Sequence, residues 1–322
     1  MVQILPKVRS KKTNPTMTTS FKEVAALWKA DKRKWVKDAT YAVYLQHLNN
    51  HILPYFENRT DIQEQDIQNF IDLKHTQGKS PKSIRDITLV LRMILRYGEK
   101  TGAWPHKEFN LHFPIETKQK DPTILSRNQQ KRLMRYLKNN IGPKNLGLII
   151  CLYSGMRIGE VIGLQWKDLD IKAGVIKVRK TIQRIYLADG EQKRYFLSIG
   201  TPKTASSARD IPISSELMGI IKPLRKGAKP ENYVISNAAK PMEPRAYRAY
   251  YSGLLKRLRL PHLRFHALRH SFATRCIESG CDYKTVSVIL GHSSISTTLD
   301  MYVHPGYAQK KKAIERMASK LK

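Results

Sequence analysis

The segment Phe265-His266-Ala267-Leu268-Arg269-His270-Ser271-Phe272 concentrates side chains that can do chemistry. Read as a helix, its three- and four-residue spacing puts His266, Arg269 and His270 on one face, with Leu268 and Phe272 turned toward a core. Two readings of that face stay open. It is a solvated basic surface, or it is a zinc site, because histidines at i and i+4 can ligate zinc. The zinc reading lacks the glutamate of His-Glu-x-x-His and a third ligand. Downstream, Asp282 to Gly291 is patterned as a helix, capped by Asp282, apolar at Val286, Ile289 and Leu290, and stopped by Gly291. His292 follows the stop directly. Tyr302 comes ten residues later, on a short helix opened near Ser294 or Ser296. Taken singly, His292 is a capping histidine and Tyr302 is one of 15 tyrosines.

Charge narrows the substrate. The chain carries 58 Lys+Arg against 26 Asp+Glu, a formal +32, with a sequence pI near 10.1. So basic a chain repels itself unless it meets a polyanion, which leaves DNA, RNA or an acidic membrane. No stretch approaches the roughly 20 apolar residues of a membrane span. Lys7, Arg9, Lys11 and Lys12 precede no apolar run of the kind a secretory signal needs. Nucleic acid remains. Cys151, Cys276 and Cys281 form an odd set with neither disulfide nor Cys-x-x-Cys spacing, as expected of packing thiols in a reducing cytoplasm.

In combination these residues resemble one family. His266-x-x-Arg269, then Leu290-Gly291-His292, then Tyr302 is similar to the C-terminal signature of the tyrosine recombinase (phage integrase) family. Ser154-Gly155-Met156-Arg157-Ile158-Gly159-Glu160 resembles that family's first-arginine box. Thr201-Pro202-Lys203-Thr204 sits in the turn before an expected strand, where the family's catalytic lysine belongs. The resemblance implies a catalytic set of Arg157, Lys203, His266, Arg269 and His292, with Tyr302 as the nucleophile. It gives His266 the acid/base role and His292 a hydrogen bond to the phosphate. The long hairpin around Leu187-Ala188-Asp189-Gly190 and the His292–Tyr302 spacing resemble integrases of phages and integrative/conjugative elements more than chromosome-dimer resolving enzymes.

The implied chemistry has a physical logic. A phosphodiester repels nucleophiles, and its transition state concentrates charge on the nonbridging oxygens. Arg157 and Arg269 can grip those oxygens bidentately and stay charged at any working pH. Tyr302, with an unperturbed pKa of about 10, needs cationic neighbours and a proton acceptor. Lys203 can protonate the departing 5′-oxygen. Attack leaves a 3′-phosphotyrosine that keeps the ester linkage, so rejoining needs no nucleotide. No metal is required, because arginine can supply the charge neutralisation that magnesium gives other nucleases, and no cofactor is expected. Gly200-Thr201-Pro202-Lys203-Thr204 has the wrong glycine spacing for a phosphate loop. Glu160, one turn from Arg157, either orients that arginine or makes a surface ion pair.

The elements that must position these residues fall into a mainly α protein with an α+β catalytic domain. Residues 1–19 read as a flexible basic arm, too short for a folded arm-site-binding domain. Residues 20–113 read as a four-helix core-binding (SAM-like) domain, its helices opened by Ser20 with Glu23, from about Ala39 to Pro54, around Ile67 and Phe70, and from Ser80-Pro81 to Gly98. Residues 114–123 read as a linker. Residues 124–304 form the helical catalytic domain, with a small three-stranded antiparallel sheet expected as a meander of Val175–Ile182, Tyr195–Ile199 and Arg209–Ile213. Residues 305–322 read as a tail helix that docks on its own chain or on a neighbouring protomer.

Lys82, Arg85, Arg92 and Arg96 crowd the fourth helix and can track DNA phosphates, or remain simply solvated. The expected partner is double-stranded DNA with specific recombination sites, bound by a homotetramer on two duplexes, with accessory DNA-bending or excision factors and no membrane. The expected location is the cytoplasm, on the nucleoid. The expected activity is site-specific cleavage and rejoining for integration and excision of a mobile element. Two rivals are a type IB topoisomerase-like enzyme and a non-catalytic architectural DNA-binding protein.

Overall fold

The computed structural model describes residues 19–116, 124–189, 192–201 and 207–302, and scattered positions from 311 to 321. The expected arm (but for Thr19), most of the linker, Lys203 and most of the tail lie outside the described residues. The chain divides into two compact units, residues 1–119 with 185–195, and residues 120–184 with 196–322.

In the first unit α1 (Phe21–Lys32) opens with the expected capping box, Glu23 accepting from the Ser20 backbone at 2.8 Å. The second helix passes Pro54 instead of stopping there. It runs as α2 (Asp38–His47), a π-helical segment (Leu48–Ile52) and α3 (Leu53–Phe56). Proline has no N–H for the i−4 carbonyl, and the π-turn just before it shifts the ladder so that Leu53 bonds to Leu48. α4 (Glu64–Thr76) ends before Gly78, whose φ of +75° suits glycine.

α5 (Pro81–Lys100) has the Ser80 cap and Pro81 start that the sequence announces, but it continues beyond Gly98. Gly98 is a packing residue: a Cβ there would lie 2.3 Å from the Trp104 ring. The core joins Phe21, Trp28, Phe56, Phe70, Ile84, Leu91, Ile94 and Trp104. Within the same unit, Asp189 accepts from Lys29 Nζ at 2.6 Å and Tyr41 Oη at 3.3 Å.

The second unit is built around a buried apolar helix. α6 (Arg127–Asn139) begins at its Ser126 cap, and α7 (Pro143–Ser154) carries Leu146 to Leu152 through the core. Gly155 ends α7 at φ +64°, where a Cβ would meet Phe272 at 2.5 Å and Leu290 at 2.6 Å. α8 (Ile158–Gly163) follows at once. Next along the chain come β1 (Leu169–Asp170), β2 (Val175–Val178), β3 (Thr181–Asp189) and β4 (Gln192–Gly200), whose residues 185–195 belong to the first unit, and β5 (Arg209–Pro212).

The antiparallel three-stranded sheet has the order β1-β2-β5, with Ile176 opposite both Leu169 and Ile211, and Val178 opposite Arg209. β3 and β4 form a separate two-stranded sheet. The expected meander is therefore two sheets, because the run from Val175 to Ile182 breaks at Arg179-Lys180. Arg179 turns its guanidinium onto the carbonyl of Arg209 at 3.0 Å and the carboxylate of Asp210 at 2.5 Å at that corner. The chain finishes with α9 (Ser215–Lys226), α10 (Pro244–Arg257), α11 (His266–Glu278), α12 (Tyr283–Leu290) and α13 (Ile295–Tyr302).

Candidate active site

Four element ends meet in the second unit: the end of α7, the start of α8, the start of α11 and the end of α12. Arg157 is the N-cap residue of α8. Its backbone N–H donates to Glu160 Oε2 at 2.9 Å and its guanidinium to Oε1 at 2.8 Å, so one carboxylate fixes both ends of the arginine. The remaining terminal nitrogen donates to Gly291 O at 3.0 Å. About a third of the Arg157 side chain is exposed (35%).

Arg269 is 1% exposed and donates to Gly155 O at 2.9 Å, the carbonyl at the end of α7. A helix C-terminus carries partial negative charge, so a cation there is favoured. Gly155 has to be glycine for the chain to turn at this point, and the turn is what aims its carbonyl at Arg269.

Glu160 is not a surface residue. It is 2% exposed, held between Arg157 and a residue that the sequence motifs do not mark, Arg209 on β5. Arg209 donates to Glu160 Oε1 and Oε2 at 3.2 and 3.1 Å, to Ile289 O at 2.5 Å and to Ser207 O at 3.0 Å. Burial alone would raise the Glu160 pKa; the Arg209 hydrogen bonds and charge, then Arg157, outweigh it and hold the carboxyl below its usual value. A sequence signal for Arg209 existed. In Arg209-Asp210-Ile211-Pro212 the alternation puts arginine on the inward side with Ile211, and an inward charge demands a buried partner.

The histidines complete the cluster. His292 follows the left-handed Gly291 cap of α12, and its backbone donates to Ser287 O at 3.1 Å. Its Nδ1 is 2.7 Å from Thr298 Oγ1 on α13. Burial, then the charges of Arg269, Arg157 and Arg209, push its pKa down to about 4. His266 starts α11, with solvent on one side and the His270 ring edge-on at 4.5 Å. The protein beneath it, then His270, Arg269 and Arg157, also push it down to about 4, with Glu160 pulling the other way. Each histidine thus feels both Arg157 and Arg269. Among the described residues no group of three or more His, Cys, Asp or Glu is placed to hold a metal.

The structure brings Arg157, Glu160, His266, Arg269 and His292 together. Tyr302 is the last residue of α13, its side chain outside the described ones, and Lys203 is outside them entirely. The four basic residues of α5 belong to the first unit. Lys82 lies 3.6 Å from Asp86, and Arg85 bonds to Glu116 and to Pro114 O. Arg92 and Arg96 line a pocket of about 350 Å³ with Leu95, Trp104 and His106. No described helix is long and apolar enough to cross a membrane.

Comparison with known proteins matches residues 123–309 to the model of the phage integrase family, and residues 20–74 to the phage integrase N-terminal SAM-like domain. A XerC-like tyrosine recombinase of Caldanaerobacter subterraneus subsp. tengcongensis is 28% identical over 304 residues, 87% of this chain and 78% of that one. The transposase of transposon Tn916 from Enterococcus faecalis is 28% identical over 61% of this chain and 51% of its own length. The fold is that of the Tn1549 transposon integrase, solved with transposon right-end DNA: TM-score 0.75 at 23% identity, covering 93% of this chain and all of that one. A lambda integrase tetramer bound to a Holliday junction superposes with TM-score 0.60 at 14% identity, over 89% of this chain and 84% of that one.

Proposed function

The chain belongs to the phage integrase family, and from that premise we propose that it is a site-specific DNA recombinase serving the integration and excision of a mobile element. It cleaves double-stranded DNA at its recombination sites as a homotetramer on two duplexes, with accessory DNA-bending or excision factors, and works in the cytoplasm on the nucleoid. Residues 20–113 are its core-binding domain, 114–123 the linker, 124–304 the catalytic domain, and 305–322 a tail that docks on its own or a neighbouring subunit.

The observation that supports this reading best is the convergence of Arg157 and Arg269, from two separate helix ends, on a pair of uncharged histidines. Two guanidiniums in that setting suit an anion whose charge grows during reaction, and removing one such donor costs on the order of a hundredfold to a thousandfold in rate.

The reaction runs as a displacement at phosphorus. The Tyr302 phenolic oxygen forms a bond to phosphorus while the bond from phosphorus to the 5′-oxygen breaks. His266, a neutral imidazole at working pH, accepts the phenolic proton as the bond to phosphorus forms. Lys203 gives a proton to the departing 5′-oxygen, and Arg157, Arg269 and His292 hold the nonbridging oxygens. Glu160 orients Arg157. Reversal with a 5′-hydroxyl from the partner duplex rejoins the strand, and the residues named need neither nucleotide nor metal for it.

The test is a nicked suicide substrate, which releases a short 5′ fragment and traps the protein on the 3′ end. Wild-type protein is expected to accumulate a covalent adduct, and Tyr302→Phe none. An adduct formed by Tyr302→Phe would overturn the mechanism. Recombination of a two-site plasmid, set against relaxation of a plasmid with no site, separates strand exchange from topoisomerase action.

A further inference from the structure

Thr298 offers an observation that the reaction scheme does not use. It lies on α13, one turn before Tyr302, and its side chain is fully buried at 0% exposure. Helical hydroxyls commonly bond back to the carbonyl four residues earlier, as Thr76, Thr101 and Ser154 do here. Thr298 reaches across to another element instead, placing Oγ1 2.7 Å from His292 Nδ1. His292 has little freedom of its own. Its backbone is held by the Gly291 cap and its N–H bond to Ser287 O, and the bond at Nδ1 then constrains the side-chain torsions that the backbone leaves free.

We infer that Thr298 is a positioning residue for His292: its hydroxyl donates to Nδ1, which holds the ring as the Nε2–H tautomer and aims that N–H at the reacting phosphate. A neutral imidazole has one donor and one acceptor nitrogen, and the bond at one nitrogen sets the role of the other. The inference rests on the proposed reading that His292 hydrogen-bonds the phosphate.

It has a consequence for the order of events. Thr298 sits on the helix that ends in Tyr302, so His292 acquires its working orientation only when that helix is docked. Docking of the nucleophile's helix and completion of the anion site become one step. Arg157 is tied to the same corner through Gly291 O, so the corner has a second anchor and does not need Thr298 to fold.

The experiment combines adduct formation on the nicked substrate with imidazole ¹⁵N shifts of the uncomplexed protein. Thr298→Val keeps the side-chain shape and removes the hydroxyl; losing one such hydrogen bond corresponds to a rate about five- to tenfold lower. Thr298→Ser, which retains the hydroxyl, is expected to recover the rate. In a His292→Ala background Thr298→Val is expected to cause no further loss, because a residue acting through His292 has nothing left to act on. The ¹⁵N shifts are expected to show Nε2–H in wild type and a changed ring in Thr298→Val.

A Thr298→Val protein that cleaves like wild type would overturn the inference. So would an equal loss in the His292→Ala background, which marks a merely structural role, or an Nδ1–H ring in wild type. A wild-type protein that traps no adduct yet shows the Thr298-dependent Nε2–H ring would sink the proposed reaction while leaving the Thr298–His292 pairing in place.

Discussion

The Glu160 carboxylate lies in the fork of the Arg209 guanidinium, 3.2 and 3.1 Å from its two terminal nitrogens, with side chains only 2% and 6% exposed. The same guanidinium holds Ile289 O near the end of α12, and the same carboxylate holds Arg157. One buried pair therefore links β5, the start of α8 and the approach to His292. A charge in that position cannot be left alone. Removing one partner of a buried pair costs about 3–5 kcal/mol, and the remaining bond of Glu160 to Arg157 favours the lower end. Arg209→Ala is expected to lose about 3 kcal/mol in urea unfolding. A loss below about 1 kcal/mol would mean that Arg157 alone satisfies the carboxylate.

Stability should fall on acidification, and His292 should carry part of the fall. Its folded pKa is near 4 against an ordinary 6.5. Between those values the unfolded chain binds the proton and the folded one does not, so stability rises with pH across the window. The contribution is complete above pH 6.5 and is lost as pH drops toward 4. His266 acts in the same direction with a smaller share, because its ring keeps solvent on one side. Melting temperatures measured across this range should decline more steeply for wild type than for His292→Gln. Parallel curves would show that the ring is not held neutral by its surroundings.

Gly155 is an exacting backbone position in the site. An L-residue at φ +64° costs roughly 1–2 kcal/mol. A Cβ would also press on Phe272 and Leu290, and overpacking of that kind adds about 1–3 kcal/mol. Gly155→Ala is expected to be destabilised by about 3 kcal/mol and to cleave poorly at temperatures where it is still folded, because Arg269 depends on the Gly155 carbonyl. Normal cleavage by the folded variant would separate Arg269 from that carbonyl.

How much of this was legible beforehand depends on where the information sits. Caps at Ser20, Ser80, Ser126 and Asp282 are local, since the residue that accepts the bond lies three positions from the one that donates it. So are the glycine stops at Gly155 and Gly291. Arg157, His266, Arg269 and His292 were readable as a set through the resemblance of their motifs to one family, helped by local position: two follow those stops and two share one helix face. Arg209 was missed because its partner is 49 residues away, and only the inward phase of a short strand hinted at it. A small three-stranded antiparallel sheet is present as expected, but its membership differs, because strand periodicity records which side faces inward and is silent about which strand lies alongside. Gly98 misled as a helix stop because its function is to admit Trp104, a tertiary demand.

The basic residues of α5 should differ in their value to DNA binding, and the reason is their present partners. Arg85 already bonds to Glu116, so a phosphate would have to displace a carboxylate to use it. Arg92 and Arg96 stand one turn apart on the wall of an open pocket. A cation that meets a phosphate releases a counterion, and removing one such cation lowers the salt slope of log K by about 0.9. Arg92→Ala and Arg96→Ala are therefore expected to weaken specific and scrambled duplexes alike, with a slope reduced by about one for each. Arg85→Ala should do less, and Glu116→Gln, which frees Arg85, should tighten binding. Fluorescence anisotropy over a salt series reads all four variants. Slopes unchanged by Arg92→Ala and Arg96→Ala would remove this face of α5 from the DNA interface.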